Sequence, residues 1–315
     1  AYLVAMSSVP ILDFLRLVRF PNLVVVALTQ VLVYYRIILP AIDAEGLQGV
    51  LRPWKFFELC LVTLAITACG YLINDLRDVR IDAINHPGKN LVLKMGRHNV
   101  QWLFAAIVFV GYLFALLIAL RLDERQLLFI FPTAIGILAL YSVSLKKLPF
   151  IGNFFVALYC AGVPGILVLT ERRVLSRLVT INSDLGVDTV RVCILFMIFA
   201  FVATLLRELV KDLEDLRGDR QEGRQTLPVM YGVTTSRRLA IVLGLMVIVS
   251  IISPVFLGWP AFMQPPMLIC ISLLLLAVLT ILIQLAQARQ QVDYHKLSRQ
   301  IKFLLVGGLG LLIFF

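Results

Sequence analysis

Nine apolar runs dominate the chain, near 20–38, 58–75, 101–120, 127–142, 153–170, 190–208, 238–257, 266–288 and 300–315. A helix needs roughly 20 apolar residues to cross a hydrocarbon core about 30 Å thick, and most of these runs approach that length. Of all residues 60 % are hydrophobic and 15 % charged, whereas a soluble domain carries about 25 % charged residues. The expected fold is therefore all-α: a polytopic membrane helical bundle of about nine transmembrane helices. The first run, near Phe20–Leu39, is long enough to span and has no small-residue cleavage site, so no cleaved leader is expected. From Lys302 the last run has only 14 residues, about 21 Å of helix. Either that helix begins nearer Tyr294 or the chain has been trimmed.

The basic charge has a topological reading. Of the 29 Lys and Arg, 20 fall in the N-terminus and in the connections between runs 2–3, 4–5, 6–7 and 8–9, and 9 in the other connections. By the positive-inside rule the N-terminus faces the cytoplasm and the C-terminus faces out. The net charge of +10 follows mostly from this asymmetry, and no nucleic-acid partner is expected. The five cysteines have no C-x-x-C spacing and lie in or beside apolar runs, which reads as packing rather than zinc or disulfides. Three histidines without ligand spacing likewise argue against haem or zinc.

Two acidic stretches stand out against this background. Asp75, Asp78 and Asp82 share the pattern D-x-x-D-x-x-x-D with Asp212, Asp215 and Asp219, each pair 137 residues apart. On a helix, positions i, i+3 and i+7 lie within about 60°, so each stretch would present three carboxylates on one stripe. Glu208 falls on the second stripe. Each stretch directly follows an apolar run, an expensive place for acids. Bringing such clusters together costs several kcal/mol per ion unless cations compensate. Mg²⁺ is the natural compensating ion, because it takes oxygen ligands and shares its coordination sphere with substrate phosphates. The topology puts both stretches at the cytoplasmic side.

The connections support a duplication. Gly88-Lys89 and Met95 recur as Gly223-Arg224 and Met230 at an offset of 135. One domain over 1–315 is expected, with pseudo-repeats about 20–150 and 153–300. Leu12–Arg19 is amphipathic and suits the membrane interface. Arg19 and Asn22 read either as interfacial anchors or as phosphate contacts. Lys146 and Lys147 read either as topology signals or as diphosphate contacts. Leu91–Val100 is too short to span and is expected to cap the site, while 40–57 and 171–189 are expected as outer loops.

Metal-assisted departure of diphosphate from an allylic lipid chain fits these acids: the metal acts as a Lewis acid and an apolar pocket excludes water. The residues resemble the UbiA superfamily of intramembrane prenyltransferases. The resemblance rests on NDLRDVRIDAINHP at Asn74–Pro87, YSVSLKKLPFIGN at Tyr141–Asn153 and RELVKDLEDLRGDRQEGRQTLPVMYG at Arg207–Gly232. It implies Mg²⁺ ions joining a prenyl diphosphate to Asn74, Asp75, Asp78 and Asp82 on one side and to Asp212, Asp215 and Asp219 on the other. It also implies Lys146 and Lys211 near the diphosphate; Arg19, Asn22, Asn74 and Tyr141 are further expected diphosphate contacts. Asp78, Asp215 and Lys146 are the expected catalytic residues. The second motif is most similar to the digeranylgeranylglyceryl phosphate synthase branch, whereas His86-Pro87-Gly88-Lys89 departs from the Arg-Pro and basic-Pro elements that often follow the first.

The resemblance leaves two acceptors open. A prenylglyceryl phosphate would need a cationic site near the interface, from Arg16, Arg19 or Lys89; an aromatic acceptor of quinone biosynthesis would need an aromatic slot. From another class, an ion-coupled transporter would place its acids near the bilayer midplane, whereas these lie at the ends of spans. The expected location is the cell membrane, multi-pass, with membrane lipid around it and the active site facing the cytoplasm.

Overall fold

The computed structural model describes residues 11–79, 90–122, 128–145, 148–221 and 223–315. Among the described residues twelve α-helices follow one another: α1 Ile11–Leu17, α2 Phe20–Ala44, α3 Pro53–Arg77, α4 Leu91–Met95, α5 Arg97–Arg121, α6 Ile130–Val143, α7 Ile151–Thr170, α8 Arg172–Ile181, α9 Ser183–Gln221, α10 Leu227–Phe256, α11 Pro265–Gln287 and α12 Gln291–Gly310. No strand occurs among the described residues. Eight of the helices, all but α1, α4, α6 and α8, are long and apolar enough to cross a membrane, α12 together with the short 3₁₀ turn that extends it to Phe314. The fold is that of an all-helical, multi-pass membrane protein.

The chain divides into two compact units, residues 1–27 with 52–144 and residues 28–51 with 145–315. In the first, α3 packs against α5 and α6 around Val62, Ala115 and Phe131. The closeness of α3 to α5 requires a residue without a side chain, since a Cβ on Gly111 would stand 2.7 Å from that of Ala65. A second cluster joins Leu17 of α1, Leu72 of α3, Val92 of α4 and Val100 of α5. Pro53 opens α3 at a position where its missing N–H leaves nothing unsatisfied.

In the second unit α9 is central and packs against α7, α10 and α12. Its 39 residues extend about 58 Å, nearly twice the thickness of a hydrocarbon core. Gly232, at φ +82°, breaks α10 near its start. Gln290 and Asp293 form a reciprocal capping box at the start of α12. The last helix therefore begins at Gln291, slightly before the Tyr294 alternative read from the sequence.

Three sequence expectations change. Residues 171–189, expected as a loop, form α8 and the first turns of α9. Leu175 and Leu178 bury one face of α8 while Arg172, Arg173 and Arg177 line the others, so a short amphipathic helix was hidden by its charge. The 40–57 loop shrinks, because α2 continues through a π-helical turn at Tyr34–Ile38 as far as Ala44. The fourth run gives α6, whose 14 residues reach only about 21 Å.

The contact between α8 and α9 is tight enough to test. A Cβ on Gly186 would lie 2.6 Å from Val179 N and Cα, which are backbone atoms unable to swing aside. Gly186→Ala is expected to lower the melting temperature of the detergent-solubilised protein, in line with about 1–3 kcal/mol for overpacking. Gly136→Ala, where nothing lies within 4 Å, should leave it unchanged.

Candidate functional site: two acid-bearing helix ends

In the first unit α3 ends inside the acidic stretch. Arg77 is its last residue, and Asp78 caps it at φ −90°, ψ 8°, donating its N–H to the carbonyl of Asn74 at 2.9 Å. The expected three-acid helical stripe is thus interrupted after Asp75. Two features account for it: acids are unfavourable at the negative end of the helix dipole, and Asp and Val are weak helix formers. Asp78 is only 7 % exposed. Asp82 lies outside the described residues.

Asp75 is held by Arg19, whose Nη2 donates to Oδ1 at 2.8 Å. The guanidinium also stacks 4.7 Å above the ring of Tyr71, one turn earlier on α3. Asn22 donates from Nδ2 to the Tyr71 hydroxyl at 3.3 Å. Ser142 on α6 donates to the carbonyl of Ile73 at 3.4 Å, which ties the last turn of α6, bearing half-buried Tyr141, to the turn of α3 bearing Asn74. Lys146 lies outside the described residues.

The short α4 was expected as a cap. Within this unit Leu91, Val92 and Met95 pack with Leu72, Leu76 and Val79 at the end of the acidic helix. Asn90 accepts from Leu93 N at 3.0 Å and donates to the Val79 carbonyl at 3.2 Å. Lys94 reaches across to buried Asp13 of α1 at 2.6 Å. Arg16, considered for an anionic acceptor, lies 3.8 Å from the same carboxylate.

In the second unit the stripe is continuous, since α9 runs on to Gln221 and carries Asp212, Asp215 and Asp219 on helical backbone. Leu209, Val210 and Leu213 are buried and hold the helix through this stretch. Asn153, in the first turn of α7, donates from Nδ2 to Asp212 Oδ2 at 2.8 Å. Glu208 is engaged by Arg207. Asp219 is 2 % exposed. The loop that follows folds back onto it: Thr226 donates to Oδ2 at 3.4 Å, Arg224 Nη1 stands 3.6 Å from Oδ1, and Arg224 N–H donates to the Asp219 carbonyl at 2.9 Å. Glu214 lies off the aspartate stripe and pairs with His295 of α12 at 2.7 Å.

Tyr71, Asn153 and Thr226 were given no role in the sequence reading. Tyr71 carried a usable signal, standing four residues before Asp75 on the same helical face; the other two depend on tertiary packing. Among the described residues no three His, Cys, Asp or Glu side chains gather closely enough to cage a metal. The donors present at both helix ends are nevertheless carboxylate and amide oxygens. Mg²⁺ suits such a set, because it keeps several waters and is usually bound through one or two carboxylates together with phosphates.

Comparison with known proteins gives a consistent answer. The UbiA prenyltransferase family profile matches residues 44–305. Digeranylgeranylglyceryl phosphate synthase of Pyrococcus horikoshii is 31 % identical over 211 residues, covering 67 % of this chain and 69 % of that protein. The protein of the same name from Methanosphaera stadtmanae is 29 % identical over 285 residues, covering 88 % and 92 %. A solved structure concerned with digeranylgeranylglyceryl phosphate synthase in membranes superposes with a TM-score of 0.62 at 22 % identity, covering 96 % and 97 %. A UbiA homologue from Archaeoglobus fulgidus bound to DMAPP and Mg²⁺ superposes with a TM-score of 0.57 at 14 % identity, covering 96 % and 99 %. With an apolar, all-helical chain whose acidic turns recur at a fixed offset, and a profile match over most of its length, this chain belongs to the UbiA prenyltransferase family.

Proposed function

We propose that this prenyltransferase moves an isoprenyl chain from a prenyl diphosphate to a prenylglyceryl phosphate, at the cytoplasmic face of the cell membrane. The observation that carries this reading is the duplicated acidic turn at the end of an apolar span, on α3 and on α9, in a chain of this family. The acceptor is supported by the name shared by relatives that match two thirds or more of the chain.

Asn74, Asp75, Asp78 and Asp82 of the first stretch and Asp212, Asp215 and Asp219 of the second would hold Mg²⁺. Bound there, the metal would supply Lewis-acid stabilisation of the charge that develops on the departing diphosphate. Lys146, Lys211, Arg19, Asn22 and Tyr141 would bind and orient the diphosphate. The apolar spans would shelter the isoprenoid tail and keep water from the reacting carbon, so that the acceptor hydroxyl meets it instead. Arg16, exposed and 3.8 Å from Asp13, would serve an anionic acceptor at the interface.

Asp78→Ala and Asp215→Ala are each expected to abolish diphosphate release while leaving the protein folded. Glu214→Gln, off the aspartate stripe, should retain turnover. Activity surviving in both aspartate variants would remove the metal assignment. Lys146→Ala is expected to raise KM for the prenyl diphosphate more than KM for the acceptor, and an unchanged donor KM would count against its role. Incubation with one labelled prenyl diphosphate and a panel of acceptors tests the substrate: product is expected with prenylglyceryl phosphates, and product formed only with hydroxybenzoate or naphthoate acceptors would overturn the lipid reading.

A further inference from the structure

Two non-glycine residues among those described have a positive φ, Arg19 at 52° and Phe150 at 67°. Backbone of this kind is uncommon outside glycine and persists where surrounding structure determines it. Each of these residues immediately precedes a helix, α2 or α7, and in each helix the third residue is an asparagine, Asn22 or Asn153. Both the left-handed residues and the asparagines are 131 residues apart. The left-handed carbonyls accept from N–H groups in the first turns of the helices: Arg19 O from Asn22 N at 2.7 Å, and Phe150 O from Phe154 N at 2.9 Å.

Each asparagine amide then reaches the acidic helix of its own unit. Asn153 donates directly to Asp212 Oδ2, whereas Asn22 donates to the hydroxyl of Tyr71, over whose ring lies the Arg19 guanidinium that holds Asp75. The duplicated element is therefore larger than the acidic turn. It includes a left-handed entry into the preceding span and a first-turn amide aimed at the carboxylate helix.

We propose that Asn153 is a positioning residue, which fixes Asp212 Oδ2 so that Oδ1 is presented to the divalent ion, and that Arg19, Asn22 and Tyr71 are its counterpart for Asp75. This rests on Asp212 being a magnesium ligand. A neutral amide suits the task, because it orients a carboxylate without cancelling the charge that attracts the ion. Such outer partners of metal ligands contribute about 10–100-fold to metal affinity or activity. The first unit uses a cation, Arg19, at the equivalent place, so the two acid clusters hold their ions with different electrostatics.

The test compares the 315-residue chain with Asn153→Ala and the isosteric Asn153→Asp, in detergent. One readout is the Mg²⁺ concentration that gives half the melting-temperature rise in the presence of inorganic pyrophosphate. The other is the Mg²⁺ concentration for half-maximal turnover. Both are expected to rise about 10–100-fold, with the melting temperature in EDTA kept close to that of the parent. If the variants keep the parental Mg²⁺ requirement, or lose only EDTA melting temperature, Asn153 is a structural tie and the proposal fails. Asp212→Asn separates the two ideas. A raised requirement there beside an unchanged one in the Asn153 variants sinks the positioning role alone, and an unchanged requirement in Asp212→Asn sinks the metal assignment on which it rests.

Discussion

Carboxylates at the end of an apolar helix must find partners, and this constraint organises the described structure. A buried, uncompensated charge costs several kcal/mol. Asp75 meets Arg19, Asp212 meets Asn153, and Asp219 meets Thr226 and Arg224. The same rule governs acids away from these turns: Glu58 meets Arg121, Asp13 meets Lys94, and Glu171, with no exposed surface, accepts the N–H groups of Val50 and Leu51 together with the Tyr34 hydroxyl. Each partner comes from a different helix or loop, so neutralising the acids also fixes the packing of the segments around them.

The two acidic stretches have the same spacing and different backbones. In the second, Leu209, Val210 and Leu213 are packed tightly enough to carry the helix past three aspartates and a glycine. In the first, the helix stops at Arg77 and the short α4 folds over its end, tied by Asn90. The same acid spacing stands on a helix that ends within the first stretch and on one that continues through the second. Matching side chains therefore stand on unequal supports, one set on a continuous helix and the other at a helix cap.

Much of the fold was legible because bilayer thickness imposes a length on apolar runs, and eight of the runs coincide with helices of spanning length. The acids were legible because matched aspartates in apolar surroundings have few structural explanations. Less visible was anything that depends on which side chain meets which. Nothing in the sequence around Asn153 announces a bond to a residue 59 positions away, and the left-handed backbone at Arg19 and Phe150 has no glycine to mark it. The charge of α8 hid its helix, because arginines over an apolar stripe look like a loop until their period is counted.

The length of α9 has a further consequence. A rod of that extent cannot be confined to hydrocarbon, so its far turns must emerge into the headgroup layer. A continuous helix that begins in one phase and ends in the other carries its last acids across the phase boundary, so side chains on one rod face both oil and water.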